Sequence, residues 1–195
     1  MQMESFPSRY RISLLSLSLL TFCTGRLDSQ ASPTASKNTQ YSVFGAYSLV
    51  SPDNRNATLN SGVTFGADYT HMFGNFALSV EPRIKFTPGN TVGERTFGGG
   101  LRFEYRIKRL IPYVDYIVSY GIVTFTHPTD PNYTRDDAYV RSPGLGLDYY
   151  LTPRWAVRGD YQFEHWTILP GNTFNPGALS FGVVYRIPFK PYVHY

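Results

Sequence analysis

Cysteine is nearly absent: Cys23 is the only one in 195 residues, so no disulfide can form within the chain. Charge is scarce too, at 16% Asp, Glu, Lys and Arg, with a net +4 and no Lys/Arg run. Nucleic acid is therefore not an expected partner. Tryptophan is rare, with two residues against 16 Tyr and 14 Phe. No stretch shows helical periodicity, and none is apolar over the roughly 20 residues a membrane-crossing helix needs. His127, Asp130, Asp136 and Asp137 share a polar stretch, but their spacing matches no calcium or zinc pattern. That stretch reads as a solvated loop, and no metal or other cofactor is expected.

The N-terminus reads as a secretory signal. Arg9 and Arg11 form its basic region, Ile12 to Cys23 its short apolar core, and Ser29-Gln30-Ala31 its small-residue cleavage site. Residues 1–31 are thus assigned to a signal peptide and 32–40 to a polar lead-in. Leu20-Thr21-Phe22-Cys23 loosely resembles a bacterial lipobox, but Phe22 stands where a small residue belongs, so Cys23 reads as a signal-peptide residue.

From Tyr41 onward the period is two. The last stretch is clearest: Leu179, Phe181, Val183, Tyr185 and Ile187 share one parity, and Ala178, Ser180, Gly182, Val184 and Arg186 the other. Seven earlier stretches repeat this, at about 41–50, 60–70, 76–86, 95–106, 113–125, 138–151 and 154–165. Pro82 interrupts the third and predicts a bulge or bend. The connections alternate long (51–59, 87–94, 126–137, 166–177) with short (71–75, 108–112, 152–153). Eight strands joined this way predict an all-β fold, an eight-stranded antiparallel up-and-down β-barrel over 41–189, with a short tail at 190–195.

The faces differ in kind. One parity is rich in aromatics (Tyr47, Tyr69, Phe103, Tyr105, Tyr116, Tyr149, Trp155, Tyr161, Phe163), many towards strand ends, where a membrane barrel carries interfacial girdles. The other holds glycines and the charges Asp68, Glu81, Arg83, Lys85, Arg102, Glu104, Arg106, Asp115, Asp148, Arg158, Asp160, Glu164 and Arg186. Small residues beside long charged ones suit the crowded interior of a narrow barrel. The apolar face is therefore expected outside, against outer-membrane lipid, making the barrel transmembrane. The charges are expected inside, paired as a structural network, because eight strands enclose room only for side chains.

Tyr41–Val50, Thr91–Tyr105, Ile111–Gly121, Gly144–Tyr161 and the closing strand together resemble the small eight-stranded bacterial outer-membrane β-barrels, of the OmpA membrane-domain and opacity-protein kind. The resemblance implies insertion into the outer membrane of a Gram-negative cell envelope, short turns in the periplasm and long loops outside. Ser180, Gly182, Tyr185 and Ile187 resemble the final-strand signal read by the barrel-assembly machinery. Such chains usually stop at an aromatic, whereas this one continues past Phe189. The family includes structural and adhesive members, so the expected role is non-enzymatic: a monomer giving structural support or binding an extracellular ligand through its loops. Two alternatives stand beside it. One is a very small channel. The other rests on His165, which with Thr167 resembles the His-x-Ser pair of an outer-membrane lipid A deacylase. There Thr167 replaces the serine, and Ala178-Leu179-Ser180 lacks the expected acid.

Overall fold

The computed structural model describes residues 38–51, 53, 59–89, 92–125, 134–168 and 172–188. Residues 1–31, assigned to a signal peptide, with Cys23, most of the assigned lead-in, His127, Asp130, Phe189 and residues 190–195 lie outside them.

Ten strands follow in order: β1 (Thr39–Ser51), β2 (Asn60–Phe73), β3 (Phe76–Thr87), β4 (Val92–Tyr105), β5 (Leu110–Phe125), β6 (Arg135–Tyr150), β7 (Trp155–Phe163), β8 (His165–Ile168), β9 (Asn172–Phe174) and β10 (Gly177–Ile187). All the pairings are antiparallel. Eight of them, β1 to β7 and β10, form a closed ring in the order β5-β4-β3-β2-β1-β10-β7-β6, with β6 returning to β5. Closure leaves no sheet edge, which is the condition for a sheet to sit in hydrocarbon.

The seam where the chain's ends meet is fully in register, from Tyr41 opposite Ile187 to Ser51 opposite Gly177. Inside the barrel it is reinforced by hydroxyls. Ser48 lies 2.8 Å from Ser180 on β10 and 2.6 Å from Thr64 on β2. Gly182 faces inward at this seam, where an added Cβ would meet the Gly45 carbonyl and Ala46. Outside, aromatic pairs gather at the end of the barrel that carries the short turns. Tyr41 and Tyr69 are 4.9 Å apart by ring centroid, Phe76 and Tyr105 4.9 Å, and Trp155 and Tyr185 4.7 Å. These rings form an interfacial girdle.

Alternation sets strand identity, but several expected ends move. Two turns are tighter than expected. Gly74-Asn75 joins β2 to β3, and between β4 and β5 the Ile107–Leu110 bridge closes a tip of Lys108-Arg109, with positive φ at Gly74 and Lys108. Thr39 and Gln40, assigned to the lead-in, already belong to β1. Val92 to Glu94 and Arg135 to Asp137, assigned to loops, start β4 and β6. Pro82 makes no bulge: Gly66 faces Arg83 and Tyr69 faces Val80 in one register, with only the pairing between them lost. A missing N–H removes a ladder bond without demanding an extra residue.

The largest correction concerns 166–177. Rather than a plain loop, it continues the sheet. β8 pairs with β6, Arg141 opposite His165, in the register that sets Gly144 opposite Gln162. β9 then folds back on β8, Trp166 opposite Phe174. Glu164 N–H donates to the Pro176 carbonyl at 3.0 Å and carries the ladder across the interruption. Trp166 points into the barrel and is fully buried against Val92, Val123, Ala138, Val140 and Ile168.

Seam packing makes Gly182 the least tolerant position of the closing strand. Gly182→Leu should abolish the faster-migrating folded form seen on gels before boiling. Gly45→Ala, whose new methyl meets only the Phe65 side chain at 3.3 Å, should keep it. Equal folded yields for Gly182→Leu and wild type would refute the packing account, in which overfilling costs ~1–3 kcal/mol or more.

Candidate functional site

Because inward positions alternate along every strand, charged residues from different strands converge in the lumen. Arg158 on β7 is held in a two-pronged pair by Asp148 on β6, at 2.8 and 2.9 Å. It also donates to Asp68 on β2 at 3.1 Å. Arg102 on β4 pairs with Glu104 at 2.6 Å and with Glu81 on β3 at 3.2 Å. Arg83 on β3 reaches Glu81 at 2.6 Å, Asp160 on β7 at 2.9 Å and Asp115 on β5 at 3.4 Å. Gln162 donates to both Asp115 (2.9 Å) and Asp160 (3.1 Å), and Tyr113 O–H donates to Asp160 at 3.0 Å. Aromatic faces complete the cage, with the Arg158 guanidinium 4.3 Å from the Phe44 ring centre and Arg102 4.4 Å from Tyr113.

Nearer the end carrying the long connections, Lys85 pairs with Glu164 at 2.6 Å and Glu94 at 3.4 Å. Glu164 also accepts the Trp166 indole N–H at 2.8 Å. Above this triad the lumen turns apolar. Trp166 stacks on Phe174 at 5.2 Å, and Gly121 leaves the space its ring occupies. In the middle of the lumen a gap of about 20 Å³ lies among Thr64, Arg83, Lys85, Ser119, Gln162 and Ser180. That is room for about one water molecule.

The thirteen charges assigned to the lumen therefore come together with one exception. Arg186 reaches no acid among the described residues and stacks on Tyr150 at 4.2 Å. Arg106 is peripheral, 3.9 Å from Glu104. Glu94 was missed. Proline, glycine and asparagine in Thr87–Glu94 read as a loop, yet its parity matches that of Arg102 and Glu104 and could have flagged it. Of the four residues assigned to an assembly signal, Ser180 and Gly182 face the lumen, whereas Tyr185 packs on Trp155 outside and Ile187 is exposed.

At the other candidate site, His165 and Thr167 share the outward face of β8. His165 Nδ1 lies 2.6 Å from Asn175 Oδ1, directly across the hairpin. The Asn175 N–H donates to Asp53 at 3.1 Å, tying the first long connection to the last. The histidine thus has an amide where a triad would place a carboxylate, a partner that register counting across the hairpin would have found. Among the described residues no group of three or more His, Cys, Asp or Glu is arranged to hold a metal. Asp137 instead pairs with Arg135 at 3.1 Å.

Comparison with known proteins agrees with this geometry. The barrel superposes on the surface protein NspA of Neisseria with a TM-score of 0.54 and 11% identity, covering 76% of this chain and 97% of that one. It superposes on Ail of Yersinia pestis, solved with the heparin analogue sucrose octasulfate, at 0.51 and 16%, covering 77% and 98%. The N-terminal barrel domain of Pseudomonas aeruginosa OprF gives 0.51 and 12%, covering 76% and 99%. No curated protein matches by sequence. The outer membrane protein beta-barrel domain family matches over residues 14–186. The chain belongs to that family and is an outer-membrane β-barrel protein.

Proposed function

We propose that the protein is a non-enzymatic, non-conducting barrel that binds an extracellular ligand through its loop end, and whose buried charges serve stability. Its short turns face the periplasm, as in other outer-membrane barrels. The single observation supporting this reading is the filled lumen, where arginines and carboxylates from opposite walls close the middle of the barrel around a one-water gap. A pore needs continuous hydrated space, and an active site needs access. The Asp53–Asn175–His165 contacts join two of the long connections into one surface. On this reading the barrel is a monomer, exported by its signal peptide and assembled through Ser180, Gly182, Tyr185 and Ile187.

The His165–Asn175 contact favours a second reading, a lipid A-directed hydrolase with Thr167 as nucleophile. It lacks an acid to stabilise a histidinium. Lipid A mass profiles from cells with and without the protein should be identical. Loss of an acyl chain that His165→Ala prevents would establish the enzyme instead.

Three further outcomes check the principal reading. In planar bilayers the folded protein should give no discrete conductance steps. Arrays of glycans and matrix proteins probed with cells displaying the chain should show signal that vanishes when residues 166–174 are replaced by a short glycine turn. An unchanged signal would leave only a structural role. In urea unfolding from lipid vesicles, Arg158→Met should cost ~3–5 kcal/mol, because it removes the two-pronged partner of Asp148 and the nearest cation of Asp68, leaving both only the longer contacts to Arg102. Arg158→Met with Asp148→Leu should recover part of that. Equal stability of the single variant and wild type would mean that the pairs do not hold the barrel.

A further inference from the structure

At the periplasmic end the lumen opens into a cavity of about 270 Å³, lined by Arg106, Lys108, Arg109, Tyr150, Thr152 and Arg186 among others. Among the described residues, four of its lining residues are cations and none is an acid. This contrasts with the rest of the lumen, where Arg83, Arg102 and Arg158 each contact several carboxylates. Here the shortest contact with an acid is Arg106 to Glu104 at 3.9 Å, and Arg106 otherwise donates to the neutral Gln40 at 3.2 Å. The Nε atoms of Arg106 and Arg186 are buried and have no hydrogen-bond partner among the described residues. Stacking on Tyr150 fixes the plane of the Arg186 guanidinium.

Four like charges around one small cavity repel one another, and unpaired buried donors add a desolvation cost. An anion with several acceptor oxygens relieves both at once. The turn carries a related signal. Lys108 adopts a left-handed conformation, φ 56°, where glycine or asparagine would be less strained. This strained turn places the Lys108 charge at the cavity rim.

We propose that this periplasmic mouth is a binding site for a phosphate group, gripped by the guanidinium forks of Arg106 and Arg186 with Lys108 and Arg109 at the rim. Guanidinium groups match phosphate oxygens in pairs, and a dianion answers the local charge better than a carboxylate does. Two sources share this chemistry in the periplasm: the headgroup of an inner-leaflet phospholipid and a soluble phosphate. The site lies at the opposite end from the loop surface discussed above; it does not depend on ligand binding there, only on the short turns facing the periplasm.

The full barrel in dodecyl maltoside, with folding of each variant checked by its heat-dependent migration, provides the test. Calorimetric titration with inorganic phosphate in a phosphate-free buffer should show one saturable site. Acetate should bind about tenfold more weakly. Arg186→Gln and Arg106→Gln should each weaken phosphate about tenfold, and Lys108→Gly about threefold, by loss of charge. Arg135→Gln, at the far end, should change nothing. Competition by short-chain phosphatidic acid, but not by diacylglycerol, would assign the site to a lipid headgroup; absence of competition would assign it to soluble phosphate. The proposal is overturned if phosphate does not bind, if acetate binds equally well, or if both arginine variants fold and bind phosphate like wild type.

Discussion

Pairing of desolvated charge governs this barrel. The ring order places β3 and β7 on opposite walls. The pair Arg83–Asp160 and the pair from Lys85 to Glu164, just past β7, therefore cross the lumen. Such pairs fix the cross-section as well as lowering energy, because each charge is tolerable only while its partner on the far wall stays in reach. Replacing one partner leaves the other buried and uncompensated, a larger penalty than the pair's own net contribution. Strand stagger, wall spacing and side-chain length have to agree for all of these pairs together.

The network also explains the small residues around it. Gly144 abuts Gln162 and Asp115, and Gly146 abuts the Tyr113 ring, so side chains there would displace members of the cage. The outward face has the reverse problem. Phe97, Val114, Leu145 and Phe181 are more than half exposed in the bare chain, which is unfavourable in water and favourable in hydrocarbon. Lipid thus takes the place of a soluble protein's core, and the lumen does the work of specifying shape. A charge placed outside and a methyl group added inside at Gly182 would fail for these two different reasons.

Much of this was legible in the sequence, because a period of two says which residues share a face whatever the solvent. Alternation placed Arg158, Asp148 and Glu81 on one side, and the glycines showed that side to be concave. Alternation does not give partners. That Arg83 meets Asp160 across the lumen, as well as Glu81 on its own strand, depends on ring closure and stagger, which no single strand encodes. The strand ends were misread for a related reason. Near the loop end the inward face changes from polar to apolar, so Trp166 and Ile168 break the expected polarity while keeping the parity, and β8 beyond His165 reads as loop. At Thr87–Glu94 the turn-forming residues Pro88, Gly89 and Asn90 hid the inward Glu94 behind them.

Charge along the lumen is also segregated. Among the described residues the buried interior holds eight carboxylates against the four cations Arg83, Lys85, Arg102 and Arg158, whereas the periplasmic cavity carries four cations and no acid. An interior of net acidic character draws the cations Arg106 and Arg186 towards it, which helps to hold the mouth in place. The same interior repels any anion that passes the mouth, and at low effective dielectric that repulsion is strong over a few ångströms. A phosphate held at Arg106 and Arg186 would therefore stop there, arrested by the Glu104 and Asp148 carboxylates deeper in. On the proposed reading, the charges that fill the lumen are thus also the ones that would make its periplasmic mouth a terminal binding site, so a non-conducting barrel and an anion-binding mouth would follow from one distribution of charge.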